Sequence, residues 1–562
     1  MTLTEIRRRI AALDVARRGN DARPVRELLV ALGRAEINDG QLLARFHDAL
    51  LFLCAYPQSP ETLRRTESLL KRFGRRVAQL DDQSALLDPK VSGIAGTSVD
   101  LIFTYDFVRW LIDKVPGRLA IEWDDDSPDR ERLAAVLLPL LPLFGEEASV
   151  DANVPPDEWL RGADALHGDG GLTWLLRALQ HYPPDLRATL YDSLRIWVIW
   201  TLGESELTRT AMRRPPQTIF YQRTPLLARR EVSLEDALAG APLPITRLSP
   251  DAGAAVLDMA RVALATRYRE VYAFTYGDSS TVVVADAGRG LEIVLVGITP
   301  GRRLPLRAGF GPLLLRNGVP IGYADAYALC DRIEVSFNIF YAFRDGESAY
   351  CFTRLLKLYQ QLFGSTVFSI DPYQIGEGND EAIDAGAFWF YRKLGFRSTD
   401  PAVELLALRE ETRMAADPRH RTSPRTLRRI AHSPLLYETA STRQTSTTRA
   451  WDHFRIRNIG LAVGCQFAAS GQTAAAFGVA CAKGVARALS LNVAALTFRQ
   501  RHAFERLAPV LALIPDLSRW SKEERHAVVA IIKAKAGKRE DRYLRHLTRH
   551  TRLRDTLRAL GN

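Results

Sequence analysis

The sequence predicts a mixed sheet of α/β (α+β) type in the central domain, flanked by mainly α-helical N- and C-terminal domains. Two periodicities support this prediction. Apolar residues recur about every 3.6 residues in the first 90 residues and again after Trp451, which is typical of amphipathic helices. Between residues 240 and 411, short apolar and β-branched runs alternate with helical segments, which is the pattern of an α/β domain.

The chain is long enough for several domains. Its 562 residues exceed what one hydrophobic core usually holds, and a prior of roughly 150 residues per domain predicts three or four units. Apolar residues make up 47% and charged residues 25%, as in soluble globular proteins. We predict a helical domain, a second mainly helical region, a mixed-sheet domain, a connector and a basic helical domain, at 1–90, 99–235, 240–411, 412–450 and 451–562.

The N-terminal region is predicted to form successive helices. Ser59 followed by Pro60 marks a helix start, because serine caps the first turn and the amide that proline lacks would be unpaired there. QLLARFHDALLFLCAYP and ETLRRTESLLKRFGRRVAQL each have one apolar and one polar face. Further on, DLIFTYDFVRWLIDKVPG is predicted as a helix that ends at Pro116, and RLAIEW as a short strand.

The central region is predicted to begin with the strand PITRL and a helix capped by Ser249, followed by the strands STVVVADAG and LEIVLVGIT. Asn317 and Gly318, between two apolar runs, give the strongest hairpin signal in the chain. After the hairpin we predict a long strand, a helix, a strand, a helix and a last strand, in the segments RIEVSFNIFYAF, AYCFTRLLKLYQQLFG, STVFSID, EAIDAGAFWFYRKLGF and VELLALR.

Residues 459–482 form the only long uncharged run. A run of about 20 apolar residues would indicate a membrane span. Here Ala and Gly dominate, and four polar side chains interrupt the run, so its transfer into lipid gains little. We therefore predict a close-packed buried helix pair and no membrane span. The four polar residues are Gln466, Ser470, Gln472 and Thr473.

The net charge of +11 is concentrated near the C-terminus. Residues 499–562 hold 16 Lys and Arg against 7 Asp and Glu, or +9. This segment is a candidate surface for nucleic acid or another polyanion. The alternative is an ordinary solvated helical face, since the segment lacks exposed aromatic residues that could stack on bases beyond Trp520 and Tyr543.

Cysteine usage and the N-terminus indicate a cytoplasmic protein. The five cysteines are far apart and include no CxxC, so neither a disulfide framework nor a zinc ribbon is expected. The first residues, MTLTEIRRRIAALD, form an amphipathic helix without the apolar core of an export signal. His546 and His550 lie one helical turn apart, but arginines adjoin them and no glutamate follows the first histidine, so we expect no metal.

The most informative segment is AFWFYRKLGF, at 387–396. Its apolar and aromatic residues recur at helical spacing, and Gly395 can end the helix in a left-handed conformation. The segment resembles the fourth-helix signature of GNAT-type acyl-coenzyme A N-acyltransferases, a helix ending in Y-x-x-x-G-F. The predicted order of strands and helices in 240–411 is also the order expected of the GNAT fold, so the resemblance implies a GNAT-like central domain.

In that family a loop of the form R/Q-x-x-G-x-G/A presents backbone amides to the coenzyme A pyrophosphate at a helix N-terminus. Arg344 and Ala349 match its first and last positions, but Glu347 replaces the middle glycine. A carboxylate there would cost about 1 kcal/mol at 4 Å in water and more when buried. Either Glu347 turns outward, or the loop does not bind coenzyme A in the usual way. The cofactor-binding residues that the resemblance implies are Phe340, Tyr341, Arg344, Gly346, Ser348, Ala349 and Asn379.

Three residues are candidates for catalysis. The resemblance implies that Tyr391 protonates the departing thiolate, and a phenol stays protonated at neutral pH. Amine acylation also needs a base, for which Glu334 ranks ahead of Asp371; both could equally be strand-end carboxylates in water. Asn379 could bind pantetheine, although the family asparagine usually lies seven residues before the tyrosine, where this chain has Asp384.

The implied reaction is direct acyl transfer from acyl-coenzyme A to an amine of a small molecule or a protein. It requires two neighbouring strands of the sheet to diverge and admit a thioester. Two alternatives stay open. One is a catalytically inactive GNAT-fold binding or regulatory protein, which Glu347 favours. The other is an aminoacyl-tRNA-dependent transferase that uses the basic C-terminal segment.

Overall fold

A computed structural model describes residues 1–123, 130–137, 170–204, 206–440 and 451–562, together with 140, 158 and 160–162. The first part of the chain is helical, as predicted. The Ser59 hydroxyl accepts a hydrogen bond from the Thr62 amide at 3.1 Å, which confirms the predicted helix start. The helices are α1 (Leu3–Ala16), α2 (Ala22–Arg34), α3 (Gly40–Ala55), α4 (Pro60–Leu70) and α5 (Phe73–Val77).

The next region combines helices with a small antiparallel sheet, in which β3 lies between β1 and β2. RLAIEW contains β2, as predicted, but the helix predicted from Asp100 to Pro116 is partly wrong. Its first residues form β1, because Val99 pairs with Trp200 across the sheet, and the helix begins only at Tyr105. The elements are β1 (Ser98–Ile102), α6 (Tyr105–Lys114), β2 (Leu119–Ile121), α7 (Arg130–Leu137), α8 (Gly170–Leu179), α9 (Pro184–Leu194) and β3 (Trp197–Thr201).

The centre of the molecule is a nine-stranded mixed sheet of order β11-β12-β10-β9-β8-β7-β6-β5-β4. All neighbours are antiparallel except β9 and β10. The predicted hairpin is confirmed: Asn317 and Gly318 both have positive φ angles, as its tight turn requires. The strands are β4 (Ile245–Arg247), β5 (Gly277–Asp286), β6 (Leu291–Ile298), β7 (Ala308–Arg316), β8 (Val319–Leu329), β9 (Arg332–Ile339), β10 (Val367–Ile370), β11 (Arg397–Ser398) and β12 (Leu435–Glu438).

The end of the sheet differs from the prediction. VELLALR is not a strand, since Asp400 and Pro401 cap a helix that contains it. The last two strands are β11 and β12, and β12 comes from the segment predicted as a connector. EAIDAGAFWFYRKLGF forms two short helices because Gly386 has a φ of 62°.

Helices cover both faces of the sheet. We call them the α13 face and the α11 face, after the longest helix on each. On the α13 face, Phe363 of α13 stacks on Phe310 of β7 with ring centroids 4.3 Å apart. The helices of this region are α10 (Leu234–Ala239), α11 (Pro250–Ala265), α12 (Tyr272–Thr275), α13 (Ser348–Phe363), α14 (Pro372–Ile375), α15 (Asp380–Asp384), α16 (Ala387–Arg392), α17 (Pro401–Ala416) and α18 (Pro424–Ile430).

The C-terminal part is helical, as predicted. Residues 1–94, the central sheet and the C-terminal helices share one continuous hydrophobic core, whereas 99–212 form a second core with part of α11. The C-terminal helices are α19 (Ile456–Ser470), α20 (Ala474–Leu489), α21 (Phe498–Leu511), α22 (Lys522–Lys535), α23 (Glu540–Arg549) and α24 (Thr551–Gly561).

The uncharged run forms the helix pair α19–α20, but the prediction that the pair is buried is wrong. Ile459 is the only buried residue of α19, and the side chains of Leu461 and Val479 are 64% and 54% exposed. The pair contacts the core mainly through the later part of α20, where Cys481, Val485 and Leu489 are buried. Among the described residues, no helix is long and apolar enough to span a membrane.

Candidate active site

The sheet opens between β9 and β10. β9 pairs with β8 along its whole length, from Arg332 to Ile339. With β10 it pairs only over Arg332, Ile333 and Glu334. Beyond Glu334 the two parallel strands part, because β10 ends at Ile370 and the chain turns into α14. The β9–β10 pairing therefore ends where the acyl-transfer hypothesis requires the two strands to diverge, and the side chains beside this point differ on the two faces of the sheet.

On the α13 face, aromatic side chains fill the opening. Phe337 of β9 lies 5.0 Å from Phe352 of α13 and 6.2 Å from Phe390 of α16, measured between ring centroids. Tyr391 lies behind them, with its ring 5.3 Å from Phe352 and 5.9 Å from Phe396. Burial raises the pKa of Tyr391 above its ordinary value. The predicted acid is thus enclosed by aromatic rings.

The α11 face of the opening is polar. Alternate residues of β8, Tyr323, Asp325 and Tyr327, point to this face, and each is opposite a polar residue of β9. Those residues of β9 are Asn338, Ser336 and Glu334, all partly exposed. We call this set of six side chains the polar cleft. Since Tyr391 lies on the α13 face, the sheet separates it from Glu334, and the structure does not bring the predicted acid and base together.

Glycines of β7 border the polar cleft. Gly311 is opposite Asp325, and Gly309 is opposite Tyr327. A Cβ atom on Gly311 would lie 2.9 Å from the Cβ of Ala273, so α12 packs directly on the strand there. Because Gly309 and Gly311 have no side chains, no side chain of β7 lies beside Asp325. For the same reason α12 can pack closely against this side of the polar cleft.

Asp325 is the most unusual titratable group of the cleft. Its Oδ1 is buried and has no hydrogen-bond partner among the described residues. Burial raises the pKa of Asp325 to about 6. A carboxyl group with such a pKa is mostly ionised at neutral pH and is a far better proton acceptor than an ordinary aspartate.

The two bases predicted from the sequence have other contacts. Glu334 lies between two guanidinium groups, 3.3 Å from Arg307 and 3.5 Å from Arg332. Asp371 is exposed and caps α14, where its Oδ1 accepts a hydrogen bond from the Tyr373 amide at 2.9 Å. Both carboxylates therefore have structural contacts, and the assignment of either as the base stays a prediction.

Two tyrosines bracket Asp325 on β8. Burial raises the pKa of Tyr327 to about 12, and the Arg307 guanidinium lies 4.8 Å from its ring centroid. The Tyr323 hydroxyl accepts a hydrogen bond from Arg269 at 3.2 Å. Arg269 and Arg344 both pair with Glu381 of α15, which closes the end of the cleft near Ile339.

The loop that resembles a pyrophosphate site is covered by the N-terminal helices. A Cβ atom on Gly346 would lie 2.5 Å from the Tyr56 hydroxyl oxygen, which belongs to the residue after α3. Arg17, which follows α1, binds the Asp345 carboxylate at 3.2 Å and the Ala342 carbonyl at 3.3 Å. The amides around Gly346 therefore face protein.

Glu347 turns inward, which excludes the first of the two alternatives given for it, an outward-facing carboxylate. Its carboxylate pairs with Arg289 and with Arg316, the latter at 2.9 Å, and accepts a hydrogen bond from the Leu227 amide at 3.0 Å. Burial alone would raise its pKa, but the Arg289 hydrogen bonds and the Arg316 charge lower it below the ordinary value. A carboxylate and two guanidinium groups occupy the position where the resemblance implies a pyrophosphate.

Several of the other residues expected to bind coenzyme A are buried or contact other groups of the protein. The Arg344 guanidinium stacks 3.8 Å from the Tyr341 ring centroid. Asn379 caps α15 through the Ala382 amide at 3.2 Å. Phe340 and Ala349 are buried, and Ser348 is half-buried. Their assignment to coenzyme A stays a prediction.

A comparison of the chain with known protein families, characterised proteins and solved structures finds no match. The site therefore rests on its own geometry. Sequence reasoning missed Asp325, although a signal existed: in VPIGYADAYAL a lone acid stands between two tyrosines at the two-residue spacing of one strand face. Every other residue of that segment is uncharged, which should have marked Asp325 as a buried carboxylate in the sheet.

Proposed function

We propose that the protein transfers an acyl group to an amine in the polar cleft, with Asp325 as the general base. The observation that carries this proposal is the half-buried carboxylate of Asp325, whose Oδ1 has no hydrogen-bond partner among the described residues and which lies across β9 from the end of the β9–β10 pairing. Two further features support it: the parallel β9–β10 pair with a helix between its strands, and the resemblance of the α16 segment to GNAT-type acyltransferases.

The chemistry needs only groups of the cleft. Asp325 accepts the proton that the amine nitrogen loses as the nitrogen attacks the acyl carbonyl. The new C–N bond forms, and the bond from the carbonyl to the leaving sulfur or oxygen breaks. Tyr327 remains protonated at neutral pH and can donate a hydrogen bond to the departing anion. Arg307, which stacks on Tyr327, adds a positive charge near that anion.

The first candidate donor is acyl-coenzyme A, and we expect it to raise the melting temperature, because a ligand that binds only the folded state stabilises it. Since Tyr56 and Glu347 occupy the pyrophosphate loop, an acyl-pantetheine that lacks the nucleotide should bind with a Kd within about threefold, or about 0.7 kcal/mol, of that of acyl-coenzyme A. Calorimetric titration of both ligands measures this. A shift with neither ligand at millimolar concentration would refute a coenzyme A donor.

Substitution of Tyr327 or of Tyr391 distinguishes between the two candidates for the group that assists the leaving anion. Tyr327→Phe should lower kcat about 10-fold or more, because general acid catalysis contributes about 10²–10⁴-fold. Tyr391→Phe should leave kcat within about twofold, since its ring is enclosed on the other face of the sheet. Initial rates of acyl transfer at saturating donor test both variants. The opposite result, a slow Tyr391→Phe and a normal Tyr327→Phe, would restore the acid that the resemblance implies.

A second candidate donor is an acyl ester carried on the end of an RNA, as in an aminoacyl-tRNA-dependent transferase. A basic cavity on α21 favours it, because the loop that lines this cavity, Pro300–Pro305, leads directly to Arg307. The Lys535 ammonium in the cavity wall donates a hydrogen bond to the Arg307 carbonyl at 2.9 Å. The cavity and the polar cleft are therefore neighbours. If this protein binds an acyl donor but transfers no acyl group under any condition, it is a binding module.

A further inference from the structure

A cavity of about 500 Å³ lies between the 300–305 loop and α21. Its cationic lining includes Arg499, His502 and Arg506. Phe498 stands at its edge with 86% of its surface exposed, the largest exposure of any large apolar residue that the structure describes. No carboxylate lines this cavity among the described residues. An exposed ring beside two guanidinium groups and an imidazole is an arrangement that binds a planar base and its phosphate.

Two other cavities share lining residues with it. Buried Arg303 lies between the first cavity and a second, small one of about 40 Å³, which Lys538, Arg539 and the carboxylates of Glu540 and Asp541 also line. Arg539 in turn lines a third cavity of about 290 Å³, formed by one face of α23. We call the three together the basic track. The side chains that α23 contributes to its far end are Arg542, Arg545, His546 and Arg549.

The charge of the basic track is only partly neutralised. Asp541 pairs with Arg539 and Arg545. Arg499, Arg542 and Arg549 are exposed and have no carboxylate partner within the described part of the chain. Several unpaired guanidinium groups on one surface attract a ligand with several phosphates more strongly than a single anion.

The aromatic residues of the basic segment 499–562 are not available to stack on bases. Trp520 and Tyr543 are both buried in the C-terminal core, and Phe504 is buried as well. The stacking surface is Phe498, one residue before the basic segment. We propose that the basic track binds single-stranded nucleic acid, with phosphates on the arginines of α21 and α23 and one base stacked on Phe498. A duplex cannot offer an unpaired base to that ring. The proposal does not depend on acyl transfer.

The test is fluorescence anisotropy of the full-length protein with labelled oligouridine and oligothymidine of about 20 nucleotides, titrated between about 50 and 200 mM salt. Phe498→Ala should weaken binding at least about fivefold and leave the salt dependence unchanged. Arg542→Gln with Arg549→Gln should reduce the slope of log Kd against log salt by about 1.4, since each phosphate contact contributes about 0.7. Arg64→Gln with Arg65→Gln, on exposed residues of α4, is the matched control and should change neither quantity.

Tighter binding of oligouridine would indicate an RNA site, and tighter binding of oligothymidine would indicate a DNA site. Either result supports the proposal. Three results would overturn it: no binding at the lowest salt, equal weakening by the α4 control, or heparin and duplex DNA binding as tightly as the single strands with no effect of Phe498→Ala. Melting temperatures of all variants show whether a loss of binding reflects unfolding, and these surface substitutions are expected to change stability little.

Discussion

Asp325→Asn should stabilise the fold at neutral pH and slow acyl transfer by at least about two orders of magnitude. The pKa of Asp325 is raised to about 6 by burial, so the folded protein opposes its ionisation. Relative to an ordinary aspartate, this shift corresponds to a destabilisation on the order of 2–3 kcal/mol at pH 7. The neutral amide removes that cost. Loss of the base should lower kcat by about 10²–10⁴-fold.

The raised pKa of Asp325 determines how the stability of the native protein changes with pH. Between about pH 4 and 6 the folded state holds a proton on Asp325 that the unfolded state has lost, so the stability of the native protein falls as the pH rises through this window. The advantage of Asp325→Asn should be absent near pH 4, grow up to about pH 6 and then stay constant. Urea unfolding at a series of pH values, with tryptophan fluorescence as the probe, measures it.

Asp371→Asn is the matched control, because Asp371 is an exposed carboxylate that caps α14. It should change stability by about 1 kcal/mol or less, with no window near pH 6. A pH-independent effect of Asp325→Asn on stability would show that Asp325 is hydrated. Undiminished turnover of that variant would refute its role as the base.

Glu347→Gln should have the largest effect on stability, a loss of about 3–5 kcal/mol. Among the described residues, Glu347 is the only group of opposite charge paired with Arg289 and Arg316, and the Arg316 side chain is fully buried. The Arg316 nitrogens lie within ion-pair distance of Glu347 but make no well-aligned hydrogen bond, and the Tyr56 and Phe220 rings pack against the guanidinium. An unpaired guanidinium in this position has no access to water.

Acid should destabilise the native protein through the same residue. The lowered pKa of Glu347 means that its contribution is complete above the ordinary glutamate pKa and is lost as the pH falls through the folded-state value. Glu381→Gln is the control, since Glu381 is half-exposed with Arg269 and Arg344 and should cost about 1 kcal/mol or less. Chemical unfolding of both variants compares them. Equal losses would mean that the Glu347 pairs contribute no more than surface ion pairs.

Local signals in the sequence were sufficient for much of the fold. The Asn317–Gly318 turn, the Ser59 and Ser249 caps and the strands β4 to β10 each follow from residues close in sequence. β12 could not be found in this way, because a four-residue strand gains its partners, β10 and β11, only through long-range contacts. VELLALR is apolar enough for either a strand or a helix, and the Asp400 cap decides for the helix.

The candidate site was less predictable, for a physical reason. The resemblance at 387–396 identified the region of the sheet opening, but which face a side chain occupies depends on register and packing. Tyr391 and Glu334 are therefore on opposite faces, and the covering of Gly346 by Tyr56 joins residues about 290 positions apart. Asp325 required both the strand register and the burial of its carboxylate to be known.

The exposed, uncharged α19–α20 pair and the net charge of the molecule act in opposite directions on its self-association. At low ionic strength the net charge of +11 keeps copies apart, since like-charged proteins repel over about 10–30 Å. Added salt screens that repulsion, and salting-out ions such as sulfate strengthen the attraction between uncharged surfaces. Because no charged side chain interrupts 459–482, we expect such attraction to act first on these helices. Raising the ionic strength of the buffer should therefore favour self-association.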